Sequence, residues 1–517
     1  MQRIVMGRKA TSALCALALA LVVALALAVT STSVTSAAGT RSQAGGTLTV
    51  GASQGIPQLN PAIWTFAWEE TLLPMLWDGL TEYTRSGSVG PDLATSWTPA
   101  QGGRQWTFHL RSGVKFSNGK PFTSSDVVSN FKYYLKSTTP YHDQNQISLV
   151  TSVTAAGPLT VVFKLSHPDA ILPAGVSGVK MIYLPALSTI DSKPIGTGPF
   201  VVKSFVPNGP LSLVKNPSYW GPAPSLNEID ISNQSDPTSA YTNLASGSLD
   251  VLWNIPYSYA PRITHDSSLK LVTPFITSQY TFWEMDTSAP PFNDLRARQA
   301  LAYATDRVAM QKAAFFGQAT LSPGNDPLAT NNSAYNKQLN PYPYDLAKAK
   351  KLFAEAGVKK LTWWGIAGSY PQFAAMGQIL QASLKKIGIP LDIQNRDIST
   401  WAAKFYPAGK SFPGMVVPNA NPSPPEPAYL LNFFLKGVCQ CNWTNPTFTK
   451  LYNQAIATVS PSARQVLWNQ LQAIVNKEVP VIIPNQSDYV VATRSNIAGV
   501  WLEGGGQMHL EQASLTH

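Results

Sequence analysis

Apolar and polar residues alternate over 104–111, with Trp106, Phe108 and Leu110 set against Thr107, His109 and Arg111. A period of two is that of a half-buried strand. Short apolar runs at 47–50, 200–202, 211–214, 361–364, 391–393 and 481–483 read as further strands. Those at 200–202 and 211–214 flank Pro207-Asn208-Gly209, so a hairpin is expected. Elsewhere the period lengthens to that of a helix. Val127, Val128, Phe131 and Leu135 share one face of a helix started by Thr123-Ser124-Ser125-Asp126. Asn293-Asp294 caps a helix through Ala304. Asp345 caps another, with Ala349, Leu352, Phe353 and Ala356 inward and Gly357 as its stop. Met376, Ile379, Leu380, Leu384 and Ile387 mark a helix ended by Gly388, and a last helix covers about 462–477. The strands 361–364 and 391–393 with the helix between them form a β-α-β unit. Such units predict α/β domains whose ligands bind beyond the carboxyl ends of the strands.

The chain has 517 residues, enough for two or three domains. Residues 13–29 form an apolar run of 17 after a basic start with Arg3, Arg8 and Lys9. Ser36-Ala37-Ala38 offers a small-residue cleavage site, so residues 1–38 read as an export signal or, uncleaved, as an N-terminal anchor. Cys15 lies near the start of the apolar run, where a lipidated cysteine does not belong. A linker over 39–46 comes next. Charged residues are only 13% of the chain, about half the usual share of roughly 25%. Of the net charge of +10, the first 38 residues supply three, which leaves +7 without a basic block. A mildly basic surface, not nucleic-acid binding, is therefore expected.

No catalytic or metal constellation emerges. Gly51-Ala52-Ser53-Gln54-Gly55 matches the nucleophile-elbow pattern, which needs a helix directly after the serine. Pro57 and Pro61 stand where that helix would run. A secreted serine hydrolase using Ser53 is the rival reading that this leaves. Two S-x-x-K matches, beginning at Ser129 and Ser383, lie inside amphipathic helices. The six histidines show no ligand spacing. Cys439 and Cys441 are expected to be a local disulfide or two inert thiols, and no cofactor is expected. The chain carries 14 Trp and 19 Tyr, which suit a binding cleft.

Several stretches together resemble the family-5 extracellular solute-binding proteins that serve ABC importers. They are Leu76-Trp77-Asp78-Gly79-Leu80-Thr81, Pro91-Asp92-Leu93-Ala94-Thr95-Ser96-Trp97, 106–119, Thr123-Ser124-Ser125-Asp126-Val127-Val128, Gly196-Thr197-Gly198-Pro199-Phe200, Asn216-Pro217-Ser218-Tyr219-Trp220-Gly221, 244–251 and 292–307. The resemblance implies a two-lobed α/β fold of the periplasmic-binding type II class, with an α+β domain inserted in the first lobe. Lobe I would be 47–75, 190–275 and 490–517, the inserted domain 76–189, and lobe II 276–489. It implies a monomer outside the cytoplasmic membrane that captures a peptide and hands it to a membrane-embedded permease. The Gly196–Gly198 segment and the 292–307 helix would then be lobe structure. Peptide-binding members carry an Asp for the ligand's amino terminus, where this chain has Asn419 or Asn421. An amide cannot supply that charge. A neutral, aromatic cleft is therefore expected, suited also to an oligosaccharide. Its expected contacts are Ser53, Gln54 and Trp64 from the first lobe and Trp283 near the hinge. The second lobe would add Trp364, Tyr370, Trp401, Asn419, Asn421 and Glu426. A sensor on the same fold is a further alternative.

Overall fold

Two seven-stranded mixed sheets organise the chain. The computed structural model describes residues 42–43, 45–63, 67–136, 144–366, 368, 370–405 and 409–516. Both sheets lie within the compact unit Gln43–Leu515. The apolar run at 13–29 and Trp64 lie outside the described residues. Among those described, no helix is long and apolar enough to cross a membrane.

The first sheet runs Leu269–Val272, Val491–Arg494, Val251–Trp253, Thr47–Ala52, Glu228–Asn233, Leu211–Lys215, Phe200–Phe205. Thr47–Ala52 sits centrally and is parallel to both neighbours. Leu48, Val50 and Ala52 are fully buried, as a strand covered on its apolar face requires. The hairpin at Phe200–Phe205 and Leu211–Lys215 forms as its turn chemistry predicts, with Asn208 at φ 57°. Residues 53–60 are not helical, so the strand leading to Ser53 does not build an elbow.

The second sheet runs Ala319–Leu321, Asn485–Ser487, Gln279–Glu284, Met415–Pro422, Leu361–Ile366, Leu391–Arg396. Val481–Ile482 also pairs with Gln279–Glu284, whose residues are all buried. The β-α-β unit is present: Leu361 pairs in parallel with Leu391 across the helix Pro371–Lys386. Asp294 accepts from the Arg296 N–H and Asp345 from the Lys348 N–H, which satisfies helix donors left without intrahelical partners.

A four-stranded antiparallel sheet joins Ala94–Ala100, Gln105–Leu110, Thr160–Leu165 and Val150–Gly157. The helix Ser124–Tyr134 packs on it through Phe131, edge-on to Phe163 at 4.7 Å. The Asp126 carboxylate starts this helix by accepting from the Thr123 N–H and Oγ1, at 2.8 and 2.9 Å. Its apolar face is continuous with the core of the first sheet, so the two form one packed body.

The chain crosses between the seven-stranded sheets at 273–278 and again at 488–490. The crossings are tied together. The Ser278 N–H donates to Asp488 Oδ1 at 2.9 Å, and the Tyr489 N–H to Ser278 Oγ at 3.0 Å.

Candidate functional site

The hairpin Thr81–Tyr83 and Val89–Pro91 brings two acidic motifs of the sequence side by side. Asp92 Oδ2 accepts from the Gly79 N–H at 2.8 Å, and Asp78 Oδ2 from the Trp220 indole N–H at 2.8 Å. The Arg111 guanidinium lies over the Trp220 ring at 4.3 Å and donates to the Asp92 carbonyl. A second hairpin, Trp501–Leu502 with Met508–His509, faces them. There the His509 ring stacks on Trp501 at 3.7 Å. Its Nε2 meets Glu503 at 3.2 Å and its Nδ1 meets Glu511 at 3.3 Å. The hairpin loop, Gly504-Gly505-Gly506, needs small residues. A Cβ on Gly504 would meet the Pro425 ring at 3.0 Å, and Gly505 and Gly506 adopt φ of +113° and +96°.

These elements enclose a cavity of about 470 Å³. Its first wall carries Glu70, Trp77, Asp78, Glu82, Tyr83 and Asp92, with Gln146, Ser177 and Lys180 beside them. Tyr219 and Trp220 add aromatic surface, and Glu503, His509 and Glu511 close one end. Pro422, Pro424 and Tyr429 come from the segment after the second sheet's strand Met415–Pro422. The cavity thus lies where the first body meets the carboxyl end of a strand of the second, the position at which open α/β sheets take ligands.

Charge dominates its lining. Burial raises the pKa of Asp78 and Glu82 and raises that of Asp92 much further, and neighbouring carboxyls add to each shift. The cluster therefore keeps protons where isolated carboxyls have lost them, and it titrates as a group. His509 behaves in the opposite sense. Burial disfavours its charge, but Glu511 and Glu503 outweigh that and lift it to about 9. The ring is an imidazolium at neutral pH, and its charge lowers the Glu511 carboxyl against the effect of burial.

Where a neutral, aromatic cleft was expected, this cavity is aromatic and carries titratable groups of both signs. The residues singled out in the sequence fall elsewhere. Trp283 is fully buried, edge-on to Trp363 at 5.2 Å. Trp364 and Trp401 are also buried in the second core, where the Trp401 indole N–H donates to the Trp364 carbonyl at 3.1 Å. These three residues line none of the described cavities. Asn419 bonds the buried Glu284 carboxyl, and Asn421 Nδ2 donates to the Tyr280 hydroxyl at 3.3 Å. Glu426 caps the short helix Pro427–Leu431. Ser53, Gln54 and Tyr370 come after the carboxyl ends of strands Thr47–Ala52 and Leu361–Ile366. Cys439 and Cys441 are bonded to each other. Sequence reasoning missed Asp78, Glu82, Asp92, Lys180, Trp220, His509 and Glu511. Asp78, Asp92 and Trp220 stood in stretches read only as family motifs, and nothing in the sequence marked His509.

The chain has known relatives. A profile described as bacterial extracellular solute-binding proteins, family 5 middle, matches residues 88–440. Heme-binding protein A of Haemophilus influenzae is 28% identical over 445 residues, covering 79% of this chain and 81% of that protein. The dipeptide-binding protein of Escherichia coli is 26% identical over 516 residues, covering 90% and 94%. Among solved structures, the substrate-binding protein CtaP of Listeria monocytogenes superposes with a TM-score of 0.83 at 20% identity, covering 92% of this chain and all of that one. The binding protein DppA of Helicobacter pylori, in complex with the peptide STSA, gives 0.75 at 22% identity, covering 91% and 99%. The solved neighbours establish a mixed α/β fold of the type II periplasmic-binding class. With the matched profile spanning more than half of its length, the chain belongs to the family-5 bacterial extracellular solute-binding proteins.

Proposed function

We propose that this protein captures a peptide or peptide-like solute in the charged cavity and delivers it to an ABC permease, with no chemistry of its own. The carrying observation is the cavity: about 470 Å³, walled by aromatic rings, bearing groups of both charge signs, and lined from both seven-stranded sheets' sides of the chain crossings. That volume lies within the usual range for small-molecule sites, roughly 300–1,000 Å³. Charges of both signs suit a peptide, whose two ionised ends need partners of opposite sign. Relatives named for dipeptide and glutathione binding support the same reading. Ser53, Gln54, Tyr370 and Asn421 stand at strand ends and are proposed as outer contacts made when the lobes close. Closure of this kind lets a ligand select one state by contacting both lobes.

Native mass spectrometry of the purified protein, followed by analysis of the released small molecules, tests this. A series of short peptides is the expected result. A released sugar, or an empty protein whose melting temperature no peptide pool raises, contradicts it.

A further inference from the structure

The net charge of the chain is not spread evenly. Residues 276–489 carry 19 Lys and Arg against 12 Asp and Glu, whereas 39–275 with 490–517 carry 16 of each. Within the richer part, residues 346–391 hold seven lysines, no arginine and one acid, Glu355. Along the sequence these lysines fall in three short stretches, 348–351, 359–360 and 385–386. The fold gathers them. Lys359 and Lys360 lead into the strand Leu361–Ile366. Lys385 and Lys386 end the helix Pro371–Lys386, after which the chain turns at Gly388 into Leu391. Leu361 and Leu391 are parallel register partners, and the Leu361 N–H donates to the Pro390 carbonyl at 3.0 Å. Both lysine pairs thus stand at the amino ends of adjacent strands, one pole of the second sheet. The strand Met415–Pro422 runs parallel to Leu361–Ile366 and reaches the cavity at Pro422. The lysine pole is therefore the end of the sheet away from the cavity.

Lys359, Lys360, Lys385 and Lys386 are exposed and make no hydrogen bond or ion pair with any described residue. On the helix Leu346–Glu355, Lys348 donates to the Tyr303 hydroxyl at 2.7 Å and Lys351 lies 4.0 Å from Glu355. The next acid along the chain, Asp392, is exposed and accepts from the Gln394 amide. The negative end of a helix favours a cation in its last turn. That accounts for Lys385 and Lys386 singly, but not for a stretch of 46 residues with one acid. Among the described residues of 346–391 no large apolar side chain is exposed. Ammonium groups without guanidinium forks or exposed rings make a diffuse positive field, not a bidentate or stacking site. Such a field fits an extended, hydrated anionic surface.

We infer that this lysine pole docks on a bilayer rich in anionic phospholipid, holding the protein at the membrane surface while the cavity at the other end of the sheet stays free. The choice of a bilayer over a soluble polyanion rests on the proposed delivery to a membrane-embedded permease. Contact is electrostatic and without insertion, so it is reversible and weakened by salt.

Flotation of the full chain with vesicles tests this. One set is equal parts phosphatidylglycerol and phosphatidylcholine, the other phosphatidylcholine alone, which also reports any binding through the apolar run at 13–29. At low salt the anionic vesicles should bind at least about tenfold more protein, and the excess should vanish as salt rises from about 50 to about 300 mM. The joint variant K359E, K360E, K385E and K386E should lose the preference for anionic vesicles. An equal charge change away from the pole, K404E, K410E, K436E and K450E, should keep it. If the pole variant fails to fold, acetylation of lysines on the unaltered protein still decides, with protection by anionic vesicles expected at 359–360 and 385–386. Equal binding to both vesicles, equal loss in both variants, or protection elsewhere overturns the docking surface. So does capture of soluble polyphosphate that anionic vesicles do not displace, since the partner is then a polyanion. Peptide binding by the pole variant, read by native mass spectrometry, should match that of the unaltered protein. A failure of the vesicle test therefore leaves the peptide reading standing, and an empty cavity leaves the vesicle result standing.

Discussion

His509 is fully enclosed, stacked on Trp501 and held between Glu503 and Glu511. Its folded pKa of about 9 exceeds the ordinary value of 6.5. A raised histidine stabilises fully below the unfolded value, and that stability is lost as pH rises through the folded one. The protein should therefore lose on the order of 3 kcal/mol between neutral pH and pH 10 through this group. Thermal melts of the unaltered protein and His509→Gln across that range should diverge at neutral pH and converge above about 9. Parallel curves would remove His509 as the cause. Trp220→Phe tests the same wall differently. It deletes the N–H that Asp78 accepts and leaves a buried carboxyl short of a partner, which costs about 1–3 kcal/mol in urea unfolding. The Asp78–Trp220 pairing was not legible in the sequence, because the two residues are 142 positions apart. Their types were visible but their juxtaposition was not.

Elements were far more legible, since their signals are local. The alternation around Trp106, Phe108 and Leu110 became the strand Gln105–Leu110, with those three residues buried. Asp126, Asp294 and Asp345 cap helices where expected, and the β-α-β unit has the expected parallel register. A tryptophan carries no such signal. Trp283 fills a core and Trp220 lines a cavity, yet both are large rings amid mixed neighbours. Glycines in the Gly196–Gly198 segment serve close packing, not turning, because neither has a positive φ. A Cβ on Gly198 would lie 2.6 Å from the Leu76 carbonyl carbon and 2.7 Å from the Met75 oxygen. Gly198→Ala must therefore push the Leu73–Leu76 helix away and should cost about 1–3 kcal/mol, seen as a lowered melting temperature. An unchanged melting temperature would mean that this contact is not rigid. Displacing that helix also moves Leu73 and Pro74, which line the cavity, so peptide affinity should fall with stability.

Across the whole molecule, two sheets joined by two crossings frame a cavity whose walls come from both sides. The α/β class followed from the strand and helix periods, and the two-lobed plan from the family motifs. The continuity of one core through the four-stranded sheet did not, because it depends on which apolar faces meet. The charged character of the cavity was hidden for the same reason: a low total of charged residues says nothing about where they converge. Hydrogen exchange with and without a pool of short peptides locates the ligand most directly. Protection is predicted at 77–83, 177–180, 219–223, 422–429 and 503–512, the segments that wall the cavity. Protection confined to 53–54, 364–370 and 419–421, with the cavity walls unchanged, would place the solute elsewhere and contradict this assignment.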